Sequence, residues 1–435
     1  MRRAFALLLF AACGTSTPGM PPETPVTWEA DIAPLVEARC AGCHHTTGIA
    51  PFALGTYDEV KAMHAASLAA IETRRMPPYL AGRGCAEYAY DLSLTDEQIS
   101  LFRKWVDQGM PRGEPGTARQ MLDVPQGGLT RVDRTLSLPA PYTVQGRPDD
   151  YRCFVIDWPE ATDKYVTGFR VVPGNEKVVH HVIAYLARPE RVADVVAQDL
   201  ADPGDGYACF GGPGSGVREW LGGWSPGGVG AMYPQGTGLH VPAGSKVVLQ
   251  MHYNLQSGVV DKVDHTQMEL ALADTVEKRA VLFLWTNPDW VRGTGMQIPA
   301  HQADVTHGFA FDPSPALSSL TGGAIPSNTG MTLYSASLHM HLLGRAARLE
   351  ILRGDGVNKE CLLDIPRWDF HWQRSYGFQA PKRFNRGDRL NVRCWWDNSA
   401  EGQPLVGGVK QQPRDVSWGE GTGDEMCLGV MYATE

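Results

Sequence analysis

The pattern of hydrophobic and polar residues divides the chain into a short helical part and a long β-rich part. Before Gly109, apolar residues recur with helical periodicity in DIAPLVEARC, YDEVKAMHAASLAAIETRR and LSLTDEQISLFRKWVDQG. In the last of these segments, Thr95 is followed three residues later by Gln98, the capping-box pattern of a helix start. The pattern predicts a small α-helical domain over residues 26–115.

After a Gly/Pro-rich linker from Pro111 to Gly127, the pattern becomes that of β-strands. Apolar residues alternate with polar ones or form continuous β-favouring runs, as in YRCFVIDWP, KYVTGFRVVPG, SKVVLQMHYNL and DRLNVRCWWDNS. Turn residues separate these runs at intervals of roughly 10–15 residues, which is typical of β-sandwiches. The length of this part suits two sandwiches better than one, over residues 124–273 and 274–435.

The composition agrees with a globular, turn-rich chain. The 435 residues are 43% hydrophobic and 20% charged, and 48 glycines and 31 prolines supply the residues that turns require. The net charge of −9 and the lack of a long Lys/Arg run argue against nucleic acid as a partner.

The first residues, MRRAFALLLFAACGTSTPG, are typical of an export signal. Arg2 and Arg3 precede an apolar stretch from Ala4 to Ala12 that is too short to span a bilayer. Small residues before Cys13 make the segment similar to a bacterial lipoprotein signal, so we expect a signal peptide over residues 1–20 and a membrane lipid anchor on Cys13. Ordinary cleavage or retention as a short anchor are the alternatives. The predicted location is the periplasm or cell envelope.

The sequence CAGCH is the C-x-x-C-H motif of covalent c-type haem attachment. Cys40 and Cys43 lie about one helical turn apart, so both thiols can add to one haem, and the adjacent His44 can bind the iron. The region resembles the cytochrome c domains of bacterial exported enzymes. This resemblance implies that Met76, in RRMPPYL, is the distal iron ligand, with His64 as the alternative. A haem with His and Met ligands transfers electrons.

Five histidines occur in three β-strand contexts: VVHHVIAY, LQMHYN with His252, and LHMHLLG. His339 and His341 are separated by one residue, so in a strand both side chains point to the same face and can share a metal ion. Adjacent His180 and His181 normally point to opposite faces, and both can reach one ion only where the strand ends or bulges. Spacing alone does not decide between a metal site and hydrogen-bonded structural histidines.

Four segments in sequence order resemble the four signatures of the copper type II, ascorbate-dependent monooxygenase family: VVHHVIAY, LQMHYN, LHMHLLG and GTGDEMCLGVMY. The resemblance extends from about residue 124 to residue 435 and implies two tandem jelly-roll-like β-sandwiches. It implies two copper ions, one bound by His180, His181 and His252 and the other by His339, His341 and Met426.

The two implied ligand sets suit different tasks. Three imidazoles can hold both copper oxidation states and pass one electron, whereas the soft Met426 thioether favours Cu(I), the state that binds and activates dioxygen. Zinc is the alternative metal, but methionine is a poor zinc ligand. By resemblance, Gln250 is a candidate for the path between the two sites.

Six of the nine cysteines lie outside the lipid and haem motifs, an even number that suits up to three disulfides. The resemblance implies the pairs Cys153–Cys209 and Cys394–Cys427. Cys85 and Cys361 either bridge the haem domain to the second sandwich or remain buried thiols. The other histidines match no ligand motif, and we interpret them as structural residues or as residues that contact the ligands: His240, His265, His301, His307 and His371.

The predicted function is an exported monooxygenase that uses O2 to hydroxylate a C–H bond of a small organic substrate. Ascorbate is the reductant that the family implies, whereas the haem predicts a respiratory or periplasmic electron donor. Peptide-hydroxylating members carry an arginine just before the H-x-H, where this chain has Ser337 and Leu338, and an asparagine and a tyrosine after the Met-Cys pair, where it has Leu428-Gly429-Val430. These differences argue against peptide substrates.

Two other functions remain open from the sequence. One is a periplasmic haem and copper electron-transfer or copper-binding protein without hydroxylase activity. The other is a double sandwich that serves only as a scaffold, which the intact set of candidate ligands argues against.

Overall fold

The computed structural model describes residues 24–48, 50–118, 128–146, 149–209, 211–226, 228–255, 260–406, 408–419, 421 and 423–435. The signal-peptide prediction, the lipidation of Cys13 and the first residues of the predicted first sandwich lie outside these ranges. Within them, no helix is both long enough and apolar enough to cross a membrane.

Helices form the N-terminal part of the described chain: a π-helical turn Trp28–Ile32, α1 (Ala33–Arg39), α2 (Tyr57–Ala62), α3 (His64–Glu72) and α4 (Asp96–Asp107). The predicted capping box of α4 is confirmed, because the Gln98 N–H donates to Thr95 Oγ1 and the Thr95 N–H donates to Gln98 Oε1. Met63 divides the second periodic segment into α2 and α3. The helices pack around the fully buried Trp105.

The rest of the described chain is mainly β, as predicted. Its strands are β1 (Arg134–Ser137), β2 (Tyr142–Thr143), β3 (Asp149–Asp157), β4 (Lys164–Val172), β5 (Val179–Ala187), β6 (Tyr207–Ala208), β7 (Glu219–Trp224), β8 (Ala231–Met232), β9 (Thr237–Val241), β10 (Lys246–Asn254), β11 (Val263–Asp264), β12 (Gln267–Ala273), β13 (Lys278–Trp285), β14 (Val305–Phe311), β15 (Met331–His339), β16 (Gly344–Leu352), β17 (Lys359–Ile365), β18 (Tyr376–Phe384), β19 (Arg389–Trp396), β20 (Leu405–Val406), β21 (Val409–Lys410) and β22 (Leu428–Thr434). The shorter helices among them are α6 (Pro288–Val291), a 3-10 turn Ser314–Ala316 and α7 (Leu317–Leu320).

Helix α5 (Pro189–Ala201) corrects the expectation that helical periodicity ends at the linker. It begins with proline at a first-turn position, which is favourable because the missing N–H has no partner there anyway. Its Val195 is fully buried against Cys153 and Tyr185 of the neighbouring strands. The valines of this segment favour β-strands. The helical spacing of its apolar residues was therefore not distinguished from the β-favouring runs on either side.

One large sheet joins the two halves of the β-rich part. Its strand order is β1-β12-β4-β9-β13-β22-β15-β18, and β8 also pairs with β4. The sheet crosses the predicted boundary at residue 273, since β9 and β13 pair in parallel with Lys278 opposite Thr237. A five-stranded sheet, β6-β3-β10-β5-β7, covers the first half and a four-stranded sheet, β14-β19-β16-β17, the second. Two separate apolar cores result, but hydrogen bonding is continuous between them.

The helical part packs on the outer edge of this sheet. The Ala89 N–H donates to the Gly377 carbonyl at the start of β18, and Tyr88 forms a β-bridge with Phe378. The Tyr79 ring packs edge-on against Tyr376 at 5.2 Å. These contacts pair backbone groups that an edge strand would otherwise leave to solvent.

Three disulfides stabilise the described chain: Cys85–Cys361, Cys153–Cys209 and Cys394–Cys427. The two pairs implied by resemblance are confirmed. The open question about Cys85 and Cys361 is also answered, because they link the helical part to β17. Disulfides persist in oxidising compartments, so this bonding supports export.

Candidate metal centres

Three of the predicted ligand residues come together where β5 and β10 pair. His252 on β10 lies opposite His181 on β5, and the next pair is Tyr253 with Val179. His180 is therefore the extra residue of a β-bulge, which turns its side chain towards the same point as its neighbour's. Of the two predicted possibilities, that the strand ends or that it bulges here, the structure shows the bulge.

The geometry of this three-histidine cluster fits a single metal ion. The Nδ1 atoms are 3.3 Å apart between His180 and His181, 3.0 Å between His180 and His252, and 3.1 Å between His252 and His181. Nitrogen ligands bound at about 2.0–2.1 Å in a tetrahedral site are about 3.3 Å from one another. The three imidazoles could thus hold one ion through Nδ1.

The outward nitrogens of two of these imidazoles have partners that orient them. His252 Nε2 lies 2.8 Å from Asp149 Oδ1, and the His252 ring stacks on Tyr151 at 4.1 Å. His180 Nε2 lies 3.2 Å from Nδ1 of His371. An Nε2–H that donates to such a partner leaves Nδ1 unprotonated and free to bind a metal.

His339 and His341 meet at the end of β15 as the two-residue spacing predicts, with their rings 5.0 Å apart. In contrast to the three-histidine cluster, these two imidazoles use Nδ1 for hydrogen bonds to the protein. His339 Nδ1 lies 2.6 Å from Gln373 Oε1, and His341 Nδ1 lies 3.2 Å from the Asp424 carbonyl, so each Nε2 is available for a ligand bond. Met426 is buried and lines the same cavity as these two histidines.

Burial keeps these imidazoles neutral near pH 7. It lowers the pKa of His180 and of His341 to about 3. The pKa values of the other three are lowered for the same reason: His181, His252 and His339. Because only a neutral imidazole can bind a metal, the sites are prepared for binding without a proton to displace.

Glu425 is a site residue that the sequence reasoning did not identify. Its fully buried carboxylate accepts hydrogen bonds from the backbone N–H groups of His341 (2.9 Å) and Leu343 (2.6 Å) and from Trp396 Nε1 (2.8 Å). Burial raises the pKa of Glu425 to about 7 against these hydrogen bonds. An acidic residue directly before Met426 in GDEMC was the available signal, but its donors are distant in sequence.

Both histidine sets contribute to the wall of one large cavity of about 2440 Å³, the first through His180 and His181 and the second through His339 and His341. Phe370 lies between them, with ring centroids 5.9 Å from His180 and 6.1 Å from His341. The wall next to Met426 is apolar and is formed by Leu428, Val430, Trp220, Leu282 and Trp418. Gln250 also lines this cavity, and its amide donates to the Cys209 carbonyl.

The same cavity continues into the helical part, where the four residues predicted to hold a haem line its wall. Cys40 and Cys43 are unpaired thiols on one helical turn, since the Cys43 N–H donates to the Cys40 carbonyl. His44 Nδ1 lies 3.0 Å from the Phe52 carbonyl, which leaves Nε2 for iron. Met76 lines this cavity.

Two further features bear on the haem fit. Tyr79 Oη is buried with no hydrogen-bond partner among the described residues, and Tyr79 lines the same cavity, so its hydroxyl could donate to a bound polar group. His64, the alternative distal ligand, is half-buried and its Nδ1 lies 2.8 Å from the Lys61 carbonyl. Met76 is thus among the residues that line the cavity, and His64 is not.

Comparisons with known proteins agree with this arrangement. Residues 296–434 match the family model described as copper type II ascorbate-dependent monooxygenase, C-terminal domain. This segment contains the second histidine pair and Met426, whereas the three-histidine cluster precedes it.

Three curated relatives are similar at low identity. Tyramine beta-hydroxylase of Caenorhabditis briggsae is 24% identical over 270 residues, which covers 60% of this chain and 40% of that protein. DBH-like monooxygenase protein 1 of Gallus gallus is 23% identical over 211 residues, covering 48% and 32%. Dopamine beta-hydroxylase of Homo sapiens is 22% identical over 327 residues, covering 71% and 48%. The chain thus spans less than half the length of each relative.

Among solved structures, the structure of infectious bursal disease virus Gx strain aligns with 71% of this chain and 75% of its own at 9% identity. Its TM-score of 0.17 supports no conclusion about the fold.

Proposed function

Because the chain belongs to the copper type II, ascorbate-dependent monooxygenase family, we propose that it is an exported dicopper monooxygenase acting on a small organic substrate. One copper would be held through Nδ1 by the three-histidine cluster, and the other through Nε2 of His339 and His341 together with Met426. The observation that carries the proposal is that two unlike ligand sets face a single cavity.

The reaction proposed is the hydroxylation of a C–H bond: R–H, O2, two electrons and two protons give R–OH and water. Copper bound beside Met426 supplies dioxygen activation, for which a thioether ligand is suited because it favours Cu(I). The protein holds the ligands neutral, orients them through Asp149, Gln373 and the Asp424 carbonyl, and excludes charge from the wall beside Met426.

The substrate proposed is small and carries an apolar part. The wall beside Met426 consists of tryptophan, leucine and valine side chains, against which an apolar ring or chain can pack. Ser337 occupies the position where peptide-hydroxylating members carry an arginine, so nothing in this stretch pairs with a peptide carboxylate. The names of two relatives refer to amines, tyramine and dopamine, which are small aromatic molecules.

The proposed electron supply is ascorbate or a c-type haem bound by Cys40, Cys43, His44 and Met76. A smaller cavity of about 420 Å³ is lined both by Phe52, near the haem motif, and by His180. The proposed haem and the three-histidine cluster are therefore neighbours, which supports electron transfer from the haem to this copper. A periplasmic or respiratory protein would then reduce the haem.

The first experiment tests the hydroxylation. Copper-loaded, pre-reduced protein is mixed with ¹⁸O2 and a panel of small aromatic amines and phenols, and the products are analysed by mass spectrometry. We expect one ¹⁸O atom in the product, loss of product in His341→Ala, and normal product in the exposed control His301→Ala. Oxygen consumption without product for every substrate would instead favour an electron-transfer or copper-binding protein.

The second experiment tests the haem. Cys40→Ser combined with Cys43→Ser is expected to abolish turnover driven by a protein electron donor and to leave ascorbate-driven turnover intact. If both forms of turnover fall equally, the haem is not the electron relay.

A further inference from the structure

The segment Phe370–Arg374, between β17 and β18, contacts both proposed copper sites. The Phe370 ring lies 5.9 Å from His180, 6.5 Å from His252 and 6.1 Å from His341. Two other side chains of the segment lie within hydrogen-bond distance of a proposed ligand, His371 at the first site and Gln373 at the second. The last residue of the segment lines the cavity that continues into the helical part.

We propose that this five-residue segment is a positioning element shared by the two copper sites: His371 orients the ligand His180, and Gln373 orients the ligand His339. The inference rests on the proposed function, because it assumes that copper occupies both ligand sets. It adds two positioning residues and a physical link between the sites.

His371 acts on a ligand that belongs to the other half of the molecule. Its Nδ1 lies 3.2 Å from Nε2 of His180. This is the ring nitrogen of His180 that faces away from the three-histidine cluster. When His180 binds metal through Nδ1, its proton resides on Nε2 and can be donated to His371. This hydrogen bond fixes the tautomer and the rotation of the His180 ring. The first site therefore depends on the second half of the β-rich part for its geometry.

Gln373 acts on its ligand through an amide whose orientation is itself fixed. Its Oε1 lies 2.6 Å from His339 Nδ1, and its Nε2 donates to the Phe370 carbonyl at 2.9 Å. Because the amide nitrogen is committed to a carbonyl, the oxygen must face the imidazole and accept its Nδ1–H. His339 is thereby held with Nε2 towards the metal position.

The two contacts are only two residues apart on one segment, so the sites should influence each other. Copper at the second site immobilises His339, and through Gln373 it immobilises the segment that carries His371. His371 is then already in place when copper binds the first site, so the entropy cost of ordering the segment is smaller for that binding step. By linkage, occupancy of either site must raise the affinity of the other by the same factor.

The test measures copper affinity without substrate or oxygen turnover, using competition with a copper chelator. Single-site backgrounds isolate each centre: His341→Ala leaves the first site, and His181→Ala leaves the second. We expect His371→Ala to weaken the first site by about 10–100-fold and Gln373→Leu to weaken the second by a similar factor. His371→Asn and Gln373→Glu, which restore an acceptor, should recover most of the affinity, and His301→Ala should change neither site.

The shared role has its own measurement. In the otherwise unchanged chain, first-site affinity should be about fivefold or more higher when the second site is loaded, and Gln373→Leu should remove this difference. The Cu(II) electron paramagnetic resonance signal of the first site should change in His371→Ala, whereas a general loss of folding would alter both signals.

Unchanged affinities in both single variants, or a first-site affinity that is independent of second-site occupancy, would overturn the inference. A chain that loads two coppers with this coupling but hydroxylates no substrate would overturn the proposed function and leave the inference standing.

Discussion

Replacement of Glu425 by glutamine tests whether this buried carboxylate organises the second site. Its Oε2 accepts from the His341 N–H and from Trp396 Nε1, while Oε1 accepts from the Leu343 N–H. Glutamine is nearly the same size but offers one acceptor oxygen and a donating NH2 group. With its oxygen in the Oε2 position, the amide nitrogen faces the Leu343 N–H, so two donors oppose each other.

The expected cost follows from this single unsatisfied donor. A buried donor without an acceptor costs about 1–3 kcal/mol, and hydrogen bonds to a charged acceptor are the stronger kind. We therefore expect Glu425→Gln to lower the free energy of unfolding by about 1–3 kcal/mol. Glu425→Ala leaves all three donors without an acceptor and should cost at least twice as much. The turn after His341 should also loosen, so second-site copper affinity should fall while the first site is unaffected.

The assay is denaturant unfolding followed by tryptophan fluorescence, combined with copper competition in the His181→Ala background. It is run at about pH 8, where the wild-type carboxyl is mostly ionised. The exposed residue Glu401 provides the matched control, because Glu401→Gln should change neither quantity. If Glu425→Gln unfolds at the wild-type denaturant concentration and binds copper equally well, the carboxylate does not organise the site.

The remaining predictions concern a ligand, a crosslink and a pH dependence. Met426→Leu should reduce second-site Cu(I) affinity at least about tenfold and remove hydroxylation, and retention of ¹⁸O incorporation would contradict the thioether as a ligand. Cys85→Ser with Cys361→Ser opens a link across 276 residues, so the free energy of unfolding should fall by up to about 5 kcal/mol in the chain-entropy limit; equal stability of wild type and variant would contradict this. The hydrogen bond from the Gly204 N–H lowers the pKa of Asp202 to about 2 from an unfolded value of 3.8, so the carboxylate stabilises the fold above 3.8 and loses that effect as the pH falls towards 2. The stability difference between wild type and Asp202→Asn should therefore shrink across this window, and a constant difference in acid denaturation would show that Asp202 does not contribute.

Features that depend on a few consecutive residues were accessible from the sequence. The capping box of α4 and the common face of His339 and His341 follow from local backbone geometry, which repeats every 3.6 residues in a helix and every two in a strand. The same geometry places Cys40 and Cys43 on one helical turn. The need for the strand to end or bulge at His180 also followed, because adjacent side chains of a regular strand cannot share a face.

The convergence of distant residues was decided only by the tertiary structure. His180 and His252 are 72 residues apart, and His180 and His371 are 191 apart, so their contacts depend on strand register and on how the two halves pack. Glu425 likewise meets Leu343 and Trp396 only through the packing of three separate segments.

The continuous sheet has the same physical origin. Local pattern located the end of β12 near Ala273, but it cannot reveal that β13 pairs with β9 from the preceding half. Which edge a strand joins is determined by the apolar surface that becomes buried and by the backbone groups that become paired, and both depend on the whole fold. The sequence by itself therefore specified the candidate ligands and their local geometry, whereas the long-range pairing of strands placed them in one cavity, beside the segment that contacts both sets.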